Sequence, residues 1–204
     1  MSGLRASALP KSPLHYPGHL VLVVGPSGAG KDTLINAAKF TFAGDTRFHF
    51  VRRIVTRASS QWEEHDTLDE AAFLSQLAEG EFCLHWHAHG LYYGIPKIVE
   101  SWLQVGDTVV FNCSRTAISE ARAKYRSVSV VRVTASPSVL AARLAGRARD
   151  SNVSSRLNRA NLPAEHVKFD HVIVNDDRAE DAIADFIQFL ESATAYFPFK
   201  RQGV

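Results

Sequence analysis

The stretch Leu20-Val21-Leu22-Val23-Val24-Gly25-Pro26-Ser27-Gly28-Ala29-Gly30-Lys31-Asp32-Thr33-Leu34 decides the fold. The unbroken apolar run at 20–24 reads as a strand buried on both faces. A glycine loop with the spacing G-x-x-x-x-G-K follows, and Leu34 to Phe42 reads as a helix. Strand, glycine loop and helix are the context that a phosphate-binding loop requires. The glycines let the backbone curl until successive N–H groups point at anionic oxygens. The helix N-terminus adds the positive end of its dipole, and Lys31 can reach the β- and γ-phosphates. Gly25, Pro26, Ser27, Gly28, Ala29, Gly30, Lys31, Asp32 and Thr33 are therefore the expected ATP-binding set, with Lys31 also a catalytic charge.

One position departs from the usual pattern. Asp32 stands where many such loops carry the Ser or Thr that binds Mg²⁺ directly. Mg²⁺ is still expected with ATP. Asp32 holding it through water, or Thr33 one place later, are both open.

The chain has 204 residues, most simply one domain with enough length for a substantial core. A hydrophobic share of 46% and a charged share of 22% are ordinary for a soluble globular protein. A net charge of +2 does not argue for nucleic-acid binding, and no apolar run approaches a membrane span. Cys83 and Cys113 lie in apolar runs without metal-site spacing, and read as reduced buried thiols of a cytoplasmic protein. Residues 1–19 contain Pro10, Pro13 and Pro17 and no continuous apolar segment, so they read as a loose leader. Residues 196–204 read as an irregular tail.

Beyond the loop helix, Phe48 to Arg57 reads as one strand, rich in aromatic and β-branched residues. Residues 58–67 are polar and without period. Thr67 and Glu70 have capping-box spacing before a helix that reaches Glu79 and closes at Gly80. Phe82–His87 and Leu91–Gly94 flank His89-Gly90 as a hairpin, a small insertion above the sheet. Ile95-Pro96 reads as the start of a helix to Val105. Strands at 108–113, 128–133 and 171–174 alternate with helices at 116–124, 136–147 and 178–191. That alternation predicts an α/β fold, a parallel central sheet covered by helices on both faces.

The loop at 25–33, Thr56-Arg57, Phe73, Gly80-Glu81-Phe82, Gly90-Leu91-Tyr92-Tyr93-Gly94, Arg143-Leu144-Ala145-Gly146-Arg147 and Val172-Ile173-Val174-Asn175-Asp176-Asp177 occur in an order that resembles the guanylate kinase family. The resemblance implies a P-loop three-layer α/β/α kinase domain over about 20–195. It also implies an acceptor-binding insertion over about 53–96 and an arginine-rich lid over about 143–159. Lys31-Asp32-Thr33, Arg52 to Arg57, Glu64-His65-Asp66, Leu84 to Pro96 and Asn112 to Arg115 are similar, more narrowly, to the ribose 1,5-bisphosphate phosphokinases of bacterial phosphonate breakdown. Those enzymes use ATP to make phosphoribosyl pyrophosphate. Guanylate kinases carry a guanine-binding glutamate where this chain has Leu84, and a second guanylate arginine where it has Ser60. Leucine cannot accept a hydrogen bond, so base recognition is expected to be missing while phosphate recognition remains. A guanylate-type nucleoside monophosphate kinase and a non-catalytic binding module are the rival readings. The intact Gly30-Lys31 speaks against the second.

Joining two anions requires cations between them. Arg143, Arg147, Arg149, Arg156 and Arg159 cluster around a polar break at 150–154, and guanidinium forks match phosphate oxygens. Arg143, Arg147 and Arg156 are expected to close as lid residues on ATP and the transferring group. The resemblance makes Arg57 the acceptor-phosphate ligand. Tyr93 can donate to the same phosphate, and strand alternation puts Arg53 on the face of Arg57. His85, His87 and His89 alternate along one strand, where a sugar-pocket wall is favoured over a zinc site. His85 is the expected contact there. Glu64 and Asp66 contact the ribose or cap the next helix. The partners expected are ATP and a small sugar phosphate, with no nucleic acid and no membrane; the oligomeric state, a homodimer included, is open.

Overall fold

The computed structural model describes residues 12–57, 65–147 and 167–196. Nine strands and six helices are defined among them. In chain order they are β1 (His19–Val24), α1 (Lys31–Thr41), β2 (Phe48–Phe50), β3 (Ile54–Val55), β4 (Asp66–Thr67), α2 (Glu70–Glu79), β5 (Phe82–Ala88) and β6 (Leu91–Pro96). There follow α3 (Ile98–Gln104), β7 (Thr108–Asn112), α4 (Ile118–Lys124), β8 (Val128–Thr134), α5 (Pro137–Arg147), β9 (His171–Val174) and α6 (Ala179–Tyr196). A 3-10 turn, Arg115–Ala117, precedes α4.

The central sheet has the order β2-β7-β1-β8-β9, and every pairing in it is parallel. Its middle strand explains the unbroken apolar run. Leu20, Leu22 and Val24 pack with Val99 and Leu103 of α3 and Ile118 and Ala121 of α4. Val21 and Val23 face the other way, toward Leu34 and Ala38 of α1 and Phe186 and Leu190 of α6. All five are completely buried. Burial of each such side chain contributes about 1.5–3 kcal/mol over leaving it exposed. The helices thus cover both faces, as the strand–helix alternation predicts.

The segment between β2 and β7 carries a second sheet, ordered β4-β3-β6-β5. Here the structure corrects three boundaries read from the sequence. The run 48–57 is two strands. Val51 still donates to Val110 at 2.9 Å, but Ile54 pairs with Gly94 of the small sheet. The adjacent charges Arg52 and Arg53 cannot both lie in a sheet covered on both faces, so the chain leaves it there. Thr67 belongs to β4, and the cap of α2 is Asp69, which accepts from the Ala72 amide at 2.8 Å. Pro96 ends β6, because Lys97 still donates to the Glu81 carbonyl at 2.8 Å; α3 begins only at Ile98. The hairpin forms as read, with His89 at φ 59° and Gly90 at φ 73° in a two-residue turn. No helix among the described residues is long and apolar enough to cross a membrane.

Candidate active site

The phosphate loop leaves β1 at the carboxyl edge of the sheet, where parallel α/β sheets bind ligands. Its shape is held from behind. A side chain at Gly25, where φ is 147°, would collide with the Val133 carbonyl. Asn175, just past β9 and buried, donates its amide to the Ala29 carbonyl at 2.9 Å. Lys31 arches over the loop to the Pro26 carbonyl at 2.8 Å. From α5, Leu144 packs beside Gly28, and the Arg143 guanidinium reaches the Gly28 carbonyl at 3.5 Å.

This loop forms one wall of a cleft of about 410 Å³. The facing wall comes from the small sheet and its connections: Arg53, Arg57, Trp86, Ala88, His89 and Tyr93. Trp86 and Tyr93 stack at 5.3 Å with an interplanar angle of 2°. The Arg53 guanidinium lies 5.7 Å from the Tyr93 ring centroid, within cation–π range. Arg57 Nε donates to Nε2 of the buried His65 at 3.4 Å. Since arginine has no acceptor, Nε2 must be the bare nitrogen of that ring; Nδ1 then lies 3.3 Å from the Asp66 carbonyl.

The floor is the end of β7 and the turn beyond it. Asn112 donates to Asp32 Oδ1 at 2.9 Å, and Cys113, Ser114 and Arg115 continue the lining. Burial pushes the Cys113 thiol up to about 12 despite the nearby charges of Arg53 and Lys31. That thiol is no nucleophile at neutral pH. Among the described residues the lining therefore holds the cations Lys31, Arg53, Arg57 and Arg115 and one carboxylate, Asp32. Such a surface suits two polyanions brought face to face.

The guanylate kinase family model matches residues 18–193 of the chain. The ribose 1,5-bisphosphate phosphokinase of Methylobacterium radiotolerans is 47% identical over 178 residues, covering 86% of this chain and 99% of that protein. The chain belongs to the ribose 1,5-bisphosphate phosphokinases of the guanylate kinase family. Another such phosphokinase, from Brucella melitensis biotype 2, is 51% identical over 145 residues, 70% of this chain and 76% of that protein. Among solved structures, a guanylate kinase from Anaplasma phagocytophilum shares the fold with a TM-score of 0.68 at 21% identity, over 89% of this chain and 88% of that one.

Within this phosphokinase, Gly25, Pro26, Ser27, Gly28, Gly30, Lys31, Asp32 and Thr33 all line the cleft; Ala29 is buried behind them. Arg53, Arg57 and Tyr93 face them across it. Arg53 and Arg57 come together although β3 ends at Val55, so their shared side is not the product of one continuous strand. His85 is placed elsewhere: Trp86 and Ala88 line the cleft, which puts His85 and His87 on the opposite face of β5. His87 there meets Tyr92, ring to ring, at 4.7 Å. Only His89, in the turn, lines the cleft, and no cluster of metal-ligand type occurs among the described residues. Leu84 is completely buried in the core with Val55, Tyr93 and Ile95. Ser60, Glu64, Arg149, Arg156 and Arg159 lie outside the described residues, and of Arg147 only the backbone is described. Asn112 to Arg115 carry part of the resemblance without a role attached; their place at the end of a buried strand, at the edge where the loop opens, brings them to the cleft. His65 shares in the resemblance through Glu64-His65-Asp66, but a polar segment without period gives no sign that its ring is buried against Arg57.

Proposed function

We infer that this chain transfers the γ-phosphoryl group of ATP to ribose 1,5-bisphosphate, giving 5-phosphoribosyl 1-pyrophosphate and ADP. The supporting observation is identity of 47% across almost the whole length of a phosphokinase of that name. The cleft is chemically consistent with it. An acceptor phosphate oxygen is already ionised at neutral pH, so it needs no general base. Asp32, the one carboxylate in the described lining, belongs to the loop wall rather than the acceptor wall. A kinase acting on a sugar hydroxyl would need a base on the acceptor side.

In this reading the loop amides and Lys31 hold the β- and γ-phosphates, and Arg143 closes from α5. Arg57 and Tyr93 hold an acceptor phosphate, with Arg53 beside them, so that attacking and leaving oxygens are brought into line. Lys31 and the arginines offset charge on the transferring group as it passes between them. Asp32 and Thr33 offer oxygen donors suited to Mg²⁺, which typically takes one or two protein ligands beside phosphates and waters. When bound, it would neutralise phosphate charge. The test is incubation of the purified protein with ATP, Mg²⁺ and ribose 1,5-bisphosphate, followed by phosphorus NMR. A pyrophosphate signal on the sugar, matched to ADP formed, is expected. ADP without that signal, or none of either, would overturn the assignment.

A further inference from the structure

Asn112 ends β7 beside Val23 of β1, at the threshold of the phosphate loop. The orientation of its amide follows from its partner. A carboxylate oxygen only accepts, so the NH₂ group must be the one facing Asp32 Oδ1 at 2.9 Å. The carbonyl oxygen Oδ1 is thereby directed elsewhere. It is buried and has no hydrogen-bond partner among the described residues. The side chain lines the cleft together with Asp32 on one wall and Arg53 on the other. A buried amide oxygen without a donor is uncommon, and in a ligand cleft it marks where a ligand donor belongs.

The chemistry of the ligands narrows that donor. The ionised phosphates of ATP and of the acceptor present acceptor oxygens only, and ATP's hydroxyl and amino donors lie beyond its α-phosphate, away from a loop that takes the β- and γ-phosphates. On ribose 1,5-bisphosphate the donors are the two ring hydroxyls, at C2 and C3. We propose that Asn112 Oδ1 accepts a hydrogen bond from one ring hydroxyl of the acceptor sugar, making Asn112 a specificity-determining residue for ribosyl over deoxyribosyl bisphosphates. This rests on the function inferred above. Because the other end of the same amide grips Asp32, the sugar would be read by a group anchored to the phosphate loop.

The experiment measures kcat/KM for ribose 1,5-bisphosphate and for its 2-deoxy and 3-deoxy analogues, in the wild-type protein and in Asn112→Leu. ATP KM, Mg²⁺ dependence and melting temperature are followed alongside. The wild type is expected to reject one analogue by about tenfold or more, the consequence of leaving a buried oxygen unpaired. In Asn112→Leu that ratio should collapse toward one, while the ratio for the other analogue stays where it was. If Asn112→Leu does not fold, Asn112→Ala makes the same comparison. Equal use of all three sugars by the wild type overturns the proposal, as does a ratio that survives the substitution. A change confined to the Mg²⁺ requirement also overturns it, assigning the oxygen to a metal-bound water. Failure of the functional reading looks different: the wild type would then not phosphorylate ribose 1,5-bisphosphate at all.

Discussion

Replacing Gly30 by alanine tests how the phosphate loop is held. Gly30 caps α1 at φ 94°, a left-handed conformation that costs an L-residue about 1–2 kcal/mol. The added methyl group would also collide with Asn175 Nδ2. Asn175 is buried and gives that NH₂ group to the Ala29 carbonyl at 2.9 Å. Driving it aside leaves a carbonyl unpaired where water does not reach, at about 1–3 kcal/mol. The two terms give about 2–5 kcal/mol, or roughly 4–20 °C of melting temperature for a chain of this size. Gly80 supplies the control, since its φ is 78° but nothing lies within 4 Å of an added Cβ. Gly80→Ala should cost the backbone term alone, about 1–2 kcal/mol. Thermal unfolding followed by circular dichroism measures both. A third arm places Gly30→Ala on an Asn175→Ala background, where its cost should shrink to that of Gly80→Ala. Equal melting of the Gly30 and Gly80 variants, or an undiminished Gly30 cost without Asn175, would refute the reasoning.

Lys31→Ala removes a charge that bridges the loop to Pro26 at 2.8 Å, and should lower kcat by about a hundredfold or more with little change in melting; near-normal turnover in steady-state assays would remove Lys31 from the reaction. His65→Leu deprives Arg57 of its 3.4 Å partner and should raise KM for the acceptor about fivefold while KM for ATP stays unchanged; equal shifts in both would show a general loss of structure instead. Burial of His19 between Ser127 and Ser129 pulls its pKa from 6.5 to about 4, against the raising influence of Asp170. Between those values the unfolded chain binds a proton that the folded chain refuses, so this contribution is intact above pH 6.5 and falls by up to about 3 kcal/mol toward pH 4. Urea melts at pH 7 and pH 4.5 should show a smaller drop for His19→Gln than for the wild type, and identical drops would count against the buried imidazole.

The fold was legible where the sequence pattern had a single physical reading. The unbroken apolar run at 20–24 reads as a strand covered on both faces, and the glycine spacing after it as a phosphate loop; the structure buries all five of those residues. Legibility failed where a strand changes sheets. Arg52-Arg53 marks where the chain leaves the central sheet, but nothing local in Phe48 to Arg57 says that pairing resumes at Gly94, because that partner is distant in sequence. The site was half legible for the same reason. Loop residues are contiguous, but Asn112, His65 and Asn175 join it through long-range contacts. Leu84 shows the limit of matching by position. It stands where a base-binding carboxylate would be in a guanylate kinase, yet its side chain is entirely within the core. A glutamate there would place an unpaired charge in that core before it could meet a base.

The central claim is tested most directly by kcat/KM for ribose 1,5-bisphosphate and for GMP, at fixed ATP and Mg²⁺. The acceptor wall offers Arg53, Arg57 and Tyr93 to a phosphate. No carboxylate on the described part of that wall can accept from a guanine edge. Two purine groups left unpaired on burial, at about 1–3 kcal/mol each, correspond to roughly 30-fold or more. The bisphosphate should therefore be the better acceptor by at least about that factor. Equal or greater efficiency with GMP would contradict the account and make the chain a nucleotide kinase.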